Sequence, residues 1–127
     1  MPVQRLEVYK CLVCGIVVEV LDAGVGEPVC CGQKMAHQAP GGVGGEASLH
    51  TPVVRRAEGQ LTVRVGADEH PSDRRHHIQW VQLLCDEKAQ KAFLAPGMAP
   101  AAVFADPTGP VRVRAFCTLH GLWQTDA

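Results

Sequence analysis

Leu61-Thr62-Val63-Arg64-Val65 sets apolar and polar residues in strict alternation, and the pattern returns at Val111-Arg112-Val113-Arg114-Ala115. Side chains leave a strand on opposite faces with period 2, so in each run the apolar residues share one face. Val53-Val54, Ile78 to Leu84 and Ala102-Val103-Phe104 add extended segments, with turn signals between them at Glu58-Gly59, Ala95-Pro96-Gly97 and Asp106-Pro107-Thr108-Gly109. Short strands at such spacing predict an all-β antiparallel sandwich. One stretch resists: Asp86-Glu87-Lys88-Ala89-Gln90-Lys91-Ala92-Phe93-Leu94 holds good helix formers and no alternation.

Upstream of these strands, His37 to Gly45 reads His-Gln-Ala-Pro-Gly-Gly-Val-Gly-Gly, a composition expected not to pack and to mark a flexible boundary. The expected division is a small domain at 1–37, a Gly/Pro-rich linker at 38–46 and a sandwich at 47–127. His37 is expected to be a solvated linker histidine. In the first part, Tyr9-Lys10-Cys11-Leu12-Val13-Cys14-Gly15 is a C-x-x-C knuckle that brings two thiolates to one metal. A β-branched run, Ile16-Val17-Val18-Glu19-Val20-Leu21, follows as a strand and leads through a turn to Cys30-Cys31-Gly32. Two thiolate pairs make a four-sulfur site, without which a segment of about 40 residues can hardly fold. Spacing leaves zinc and iron open, since both accept tetrahedral thiolates, with a Cys30–Cys31 disulfide as a further alternative. The adjacent cysteines must converge by local distortion.

The chain has 127 residues, and its 12 Lys and Arg nearly balance 13 Asp and Glu without a basic block or acidic tail. That excludes a broad nucleic-acid or membrane-surface footprint. There is no apolar run of about 18 residues to span a bilayer, and Met1 to Leu6 lacks the apolar core of a secretory signal. A cytoplasmic protein is expected, in which the six cysteines serve metals rather than disulfides.

His70-Pro71-Ser72-Asp73-Arg74-Arg75-His76-His77-Ile78-Gln79-Trp80 crowds three histidines beside a strand-like run. With His50, and with Cys117 and His120 in Cys117-Thr118-Leu119-His120-Gly121-Leu122-Trp123, the chain offers four imidazoles and one thiolate. That set suits a redox-active iron centre better than a structural zinc, which closes at four tetrahedral ligands. His77, next to His76 on an extended chain, should point to the opposite face, and Cys85 reads as a buried free thiol.

The knuckle, Val18-Glu19-Val20 and the adjacent pair Cys30-Cys31-Gly32 resemble the desulforedoxin-type domain that begins the desulfoferrodoxins, the two-iron superoxide reductases. The rest of the chain is similar to the same family at His50-Thr51-Pro52-Val53, Val65-Gly66-x-x-x-His70-Pro71, His76-x-Ile78-x-Trp80 and Cys117-x-x-His120-Gly121-Leu122-Trp123. The resemblance implies a rubredoxin-like metal-stapled domain followed by an immunoglobulin-like β-sandwich, with a strand rather than a helix at 86–94. It implies one iron on Cys11, Cys14, Cys30 and Cys31, where zinc is also possible, and a second iron with His50, His70, His76 and His120 equatorial and Cys117 axial. The sixth position is left open for superoxide, which takes one electron and two protons to give hydrogen peroxide, without the oxygen a dismutase would make. A rubredoxin-like protein is the expected donor and a homodimer the expected assembly.

The match departs in one place. The family carries a Glu-Lys pair immediately before the first histidine ligand, and here the positions are Ser48 and Leu49. Leucine supplies neither charge nor proton, so either another cation substitutes, with Arg74, Arg75, Arg55 and Arg56 as candidates, or water delivers the protons and superoxide capture is slower. Two other readings compete with the enzyme: a non-catalytic iron electron carrier or redox sensor, and a zinc-stabilised interaction module.

Overall fold

The computed structural model describes residues 3–68 and 70–127. The chain forms two compact units, one ending at Ala39 and the other beginning at Pro40. No helix among the described residues is long and apolar enough to cross a membrane.

The first unit is built from very short strands: β1 Val8–Lys10, β2 Val17–Glu19, β3 Val29–Cys30, β4 Gln33–Lys34 and β5 Ala36–His37. β1 lies between β2 and β5 in one antiparallel sheet, and β3 and β4 form a hairpin of their own. The hairpin turn is Cys31-Gly32, with φ of 53° and 73°. Two successive residues at positive φ match the twist of a two-residue hairpin, so the distortion demanded by adjacent cysteines is this turn. His37 is not in a linker: it pairs with Tyr9 in the sheet, and its Nε2 lies 3.5 Å from a carboxylate oxygen of Glu7. The buried apolar residues described here are only Val8, Cys11 and Met35, too few to hold a fold without a further tie.

The second unit opens with the single turn α1 Ala47–His50 and continues as β6 Pro52–Ala57, β7 Gln60–Val65, β8 Ile78–Cys85, β9 Lys88–Phe93, β10 Ala101–Ala105, β11 Arg112–Cys117 and β12 Gly121–Asp126. Antiparallel sheets of order β10-β7-β6 and β12-β11-β8-β9 face each other as a sandwich. Leu61, Val63 and Val65 from one sheet meet Val81, Leu83, Val113 and Ala115 from the other, all nearly fully buried, as the alternation predicts. Cys85 is a free, half-buried thiol packed against this core.

Two features go beyond alternation. Residues 88–93 form a strand despite their helical preference, because pairing with β8 over Trp80 to Cys85 supplies ladder partners that outweigh a weak local propensity. Arg114, on the polar side of its strand, is 5% exposed; its guanidinium donates to Gln82 Oε1 at 2.7 and 2.9 Å and lies over the Trp80 ring. Trp80 in turn stacks on Phe116, so the centre of this sheet's second face is also buried.

Candidate metal centres

In the first unit, the sulfurs of Cys11, Cys14, Cys30 and Cys31 all lie within 4.8 Å of one another. Cys30 Sγ and Cys31 Sγ are 3.9 Å apart, far beyond a sulfur–sulfur bond, so the disulfide alternative falls. The Cys14 backbone N–H points at Cys11 Sγ at 3.4 Å and brings that thiol down to about 6. Hydrogen bonding to Cys11 pushes the Cys30 thiol up to about 12, and contact with Cys14 raises Cys31. Four sulfurs this close cannot all ionise unless a cation lies among them.

The second cluster grows from the short helical turn α1, the β7–β8 connection, the end of β11 and the β11–β12 turn. His50 closes α1, and its Nδ1 lies 2.7 Å from the Glu46 carbonyl. A carbonyl can only accept, so Nδ1 carries the proton and Nε2 presents its lone pair inward. His70 repeats the device, with Nδ1 2.6 Å from the Pro71 carbonyl. The two Nε2 atoms then stand 3.1 Å apart, lone pair to lone pair. His120, in the turn between β11 and β12, presents Nδ1 at 3.1 Å from His50 Nε2. His76 Nε2 is buried and has no hydrogen-bond partner. Burial holds His50, His70 and His76 below the ordinary imidazole range, His70 down to about 4, so the rings are neutral near pH 7.

The imidazoles form a closed ring. Successive pairs His50–His70, His70–His76, His76–His120 and His120–His50 meet edge to face, with centroids 4.7 to 5.0 Å apart. Across the ring, His50 and His76 are 6.2 Å apart and nearly parallel. Cys117 Sγ, fully buried, lies 3.4 Å from His70 Nε2 and 3.8 Å from His120 Nδ1, and within 4.8 Å of the donor atoms of His50 and His76. A sulfur within reach of all four nitrogens caps the ring. Facing lone pairs and an orphaned buried nitrogen are destabilising without a cation, and five imidazole and thiolate donors fit iron with one octahedral position to spare.

His77 stays out of the ring, as expected. Its backbone N–H donates to Thr118 Oγ1 at 3.2 Å, its carbonyl accepts from the Thr118 N–H at 3.0 Å, and Thr118 Oγ1 donates to the Arg75 carbonyl. Thr118 therefore ties the His76 loop to the Cys117 turn, a role its position alone did not reveal. Asp73 has a similar part: its carboxylate accepts from the N–H groups of Arg75 and His76 at 3.0 and 2.9 Å. The turn composition Pro71-Ser72-Asp73 was the available signal for it. Asp73→Ala should leave the fold intact and release metal from the imidazole ring about tenfold faster to a chelator, the scale of outer support to a ligand.

Of the candidate cations, Arg56 is committed elsewhere, to Asp106 at 3.3 Å and to the carbonyls of Gly109 and Ala127. Arg74 and Arg75 are exposed on the loop that carries His76, while Arg55 is exposed within β6.

A small unit with four convergent thiolates, joined to a β-sandwich bearing a thiolate-capped ring of imidazoles, defines a two-centre non-haem metalloprotein. The sequence profile described as Desulfoferrodoxin matches residues 43–126, and that described as Desulfoferrodoxin, N-terminal domain matches residues 3–37. The chain is 45% identical to a desulfoferrodoxin of Desulfarculus baarsii, covering 97% of this chain and 98% of the relative. It is 42% identical to a desulfoferrodoxin of Nitratidesulfovibrio vulgaris over the same shares. The solved superoxide reductase of Treponema pallidum superposes with a TM-score of 0.78 at 26% identity, covering 96% of this chain and 98% of that one. The chain belongs to the desulfoferrodoxin family.

Proposed function

We propose that this protein is a superoxide reductase, with one iron on Cys11, Cys14, Cys30 and Cys31 and the reactive iron on His50, His70, His76, His120 and Cys117. The observation that carries the reading is the thiolate-capped imidazole ring, whose five donors would hold an iron able to pass one electron to a small oxygen species. When bound there, ferrous iron supplies the one electron that, with two protons, converts superoxide to hydrogen peroxide.

The chain's own groups prepare that chemistry. Neutral imidazoles hold the cation without cancelling its charge, and a single thiolate leaves the centre at about +1, attractive to an anion. Cys117 would donate electron density to an iron held by these residues, which favours one-electron donation. Leu49 supplies no proton, so solvent water delivers both. Arg74 and Arg75 provide local positive charge on the loop beside His76. A rubredoxin-like protein re-reduces the centre. The exposure of Cys14 and Cys31 among exposed Leu12, Val13, Ile16 and Val29 supports electron entry at the thiolate unit. A homodimer covering part of this apolar surface fits the same exposure.

Pulse radiolysis of the reduced, iron-loaded protein tests the reading. One hydrogen peroxide per superoxide, with no oxygen, is expected; consumption no faster than that of Cys117→Ser would assign the protein to electron carriage instead. Leu49→Lys should raise the second-order rate roughly threefold at low ionic strength, the worth of one unit charge ~7 Å from the incoming anion in water. The gain should fade as salt is added. An unchanged rate across ionic strengths would remove any steering role from this position.

A further inference from the structure

The glycine-rich stretch at 41–46 is not a free tether. Its Gly41 N–H donates to the Leu122 carbonyl at 3.0 Å, and its Val43 N–H to the His120 carbonyl at 2.8 Å. The same His120 carbonyl accepts from Trp123 Nε1 at 3.2 Å, and the Trp123 ring stacks on His50 with centroids 4.8 Å apart. A Cβ at Gly42 would lie 2.3 Å from Trp123 Cζ2 and 2.4 Å from the His120 carbonyl oxygen. A Cβ at Gly45 would lie 2.8 Å from His50 Cε1 and 2.9 Å from His120 Cβ and Cγ. The next residue, Glu46, supplies the carbonyl that fixes the His50 proton. Glycines here are therefore needed for close approach to two imidazoles, whatever their value as flexible joints.

We infer that residues 41–46 are a positioning strap for His50 and His120. The strap's backbone packs against both rings, its N–H groups hold the His120 turn, and its end sets the His50 tautomer. The orientation of two of the four imidazoles, and with it the electronic state of iron held as proposed above, depends on this stretch. Trp123 acts with it, by stacking on His50 and through the shared carbonyl.

Gly45→Ala in the full-length, iron-loaded protein tests the inference, because no positive φ is imposed there and the added methyl group acts by contact alone. Gly26→Ala, a glycine with open space around its Cβ and no positive φ, is the control. The readouts are the thiolate-to-iron absorption band of the oxidised imidazole centre, its reduction potential, and the rate of iron release to a chelator. Gly45→Ala should shift the band and the potential and release iron from this centre about tenfold faster, while Gly26→Ala follows the wild type. A folded Gly45→Ala protein with wild-type band, potential and release rate overturns the inference. If Gly45→Ala does not fold, Trp123→Phe decides. It keeps an aromatic ring over His50 and removes the donor to the His120 carbonyl, so a displaced band upholds the strap and a wild-type band and potential overturn it. These readouts do not require superoxide turnover. A wild-type protein that fails to consume superoxide removes the proposed enzyme and leaves the strap to be judged by its spectrum.

Discussion

Cys117→Ser should fold like the wild type, lose the thiolate-to-iron absorption of the imidazole centre, and consume superoxide at least about a hundredfold more slowly. Altered outer support to a ligand costs up to about that factor, and this change removes the ligand itself. The fold should survive because serine is nearly isosteric and its hydroxyl can bond to the nitrogens that now face the sulfur, His70 Nε2 at 3.4 Å and His120 Nδ1 at 3.8 Å. The chemistry should not, since a hydroxyl remains protonated near neutral pH and donates far less electron density to iron than a thiolate does. Pulse radiolysis, visible absorption and thermal unfolding on the same preparation separate these outcomes. A variant that keeps both band and rate would displace Cys117 from the centre.

Stripping metal from the four-cysteine site, by chelation or by Cys30→Ser, should unfold residues 3–39 while the sandwich stays intact. The first unit buries Val8, Cys11 and Met35 and exposes Leu12, Val13, Ile16, Leu21, Val25 and Val29, the reverse of a self-sufficient core. Its strands are two or three residues long. Structural zinc in comparably small domains contributes about 10–16 kcal/mol, more than such a core can replace. The second unit has its own continuous core across both sheets and owes nothing to those thiolates. Amide exchange followed by NMR should show Val8 to Lys10 and Val17 to Glu19 losing protection together, with β7, β8 and β11 unchanged. Retained protection in β1 and β2 would mean that apolar packing, not metal, holds the unit.

Much of this architecture was legible because its signals are local. Alternation in Leu61 to Val65 is a statement about one strand, and burial follows it residue by residue. The knuckle at Cys11 and Cys14 needs only a tight turn, and the pair Cys30-Cys31 required a distortion that the structure supplies as a hairpin turn at positive φ. The four converging imidazoles were picked out by family spacing, and His77 was set apart by strand geometry. Asp73 and Thr118 escaped notice because an aspartate in a turn and a threonine after a cysteine are ordinary. Their roles exist only once the His76 loop lies against the Cys117 turn.

The stretch at 41–46 shows the boundary most clearly. Glycine content alone predicts disorder, because a chain without side chains has little apolar surface to bury. In the folded protein the same lack of side chains lets backbone come within contact of His50, His120 and Trp123. Arg114 makes the complementary point, since alternation placed it on the polar side of its strand while Gln82 and Trp80 bury it there. The amino-acid order by itself pointed to most of the strands and, with the family's spacing, to the two sets of candidate ligands, because periodicity and spacing are properties of neighbours along it. Which backbone packs against which imidazole, and which loop steadies which ligand, was decided only by the tertiary structure, because those contacts join residues up to about 80 positions apart and have no local signature.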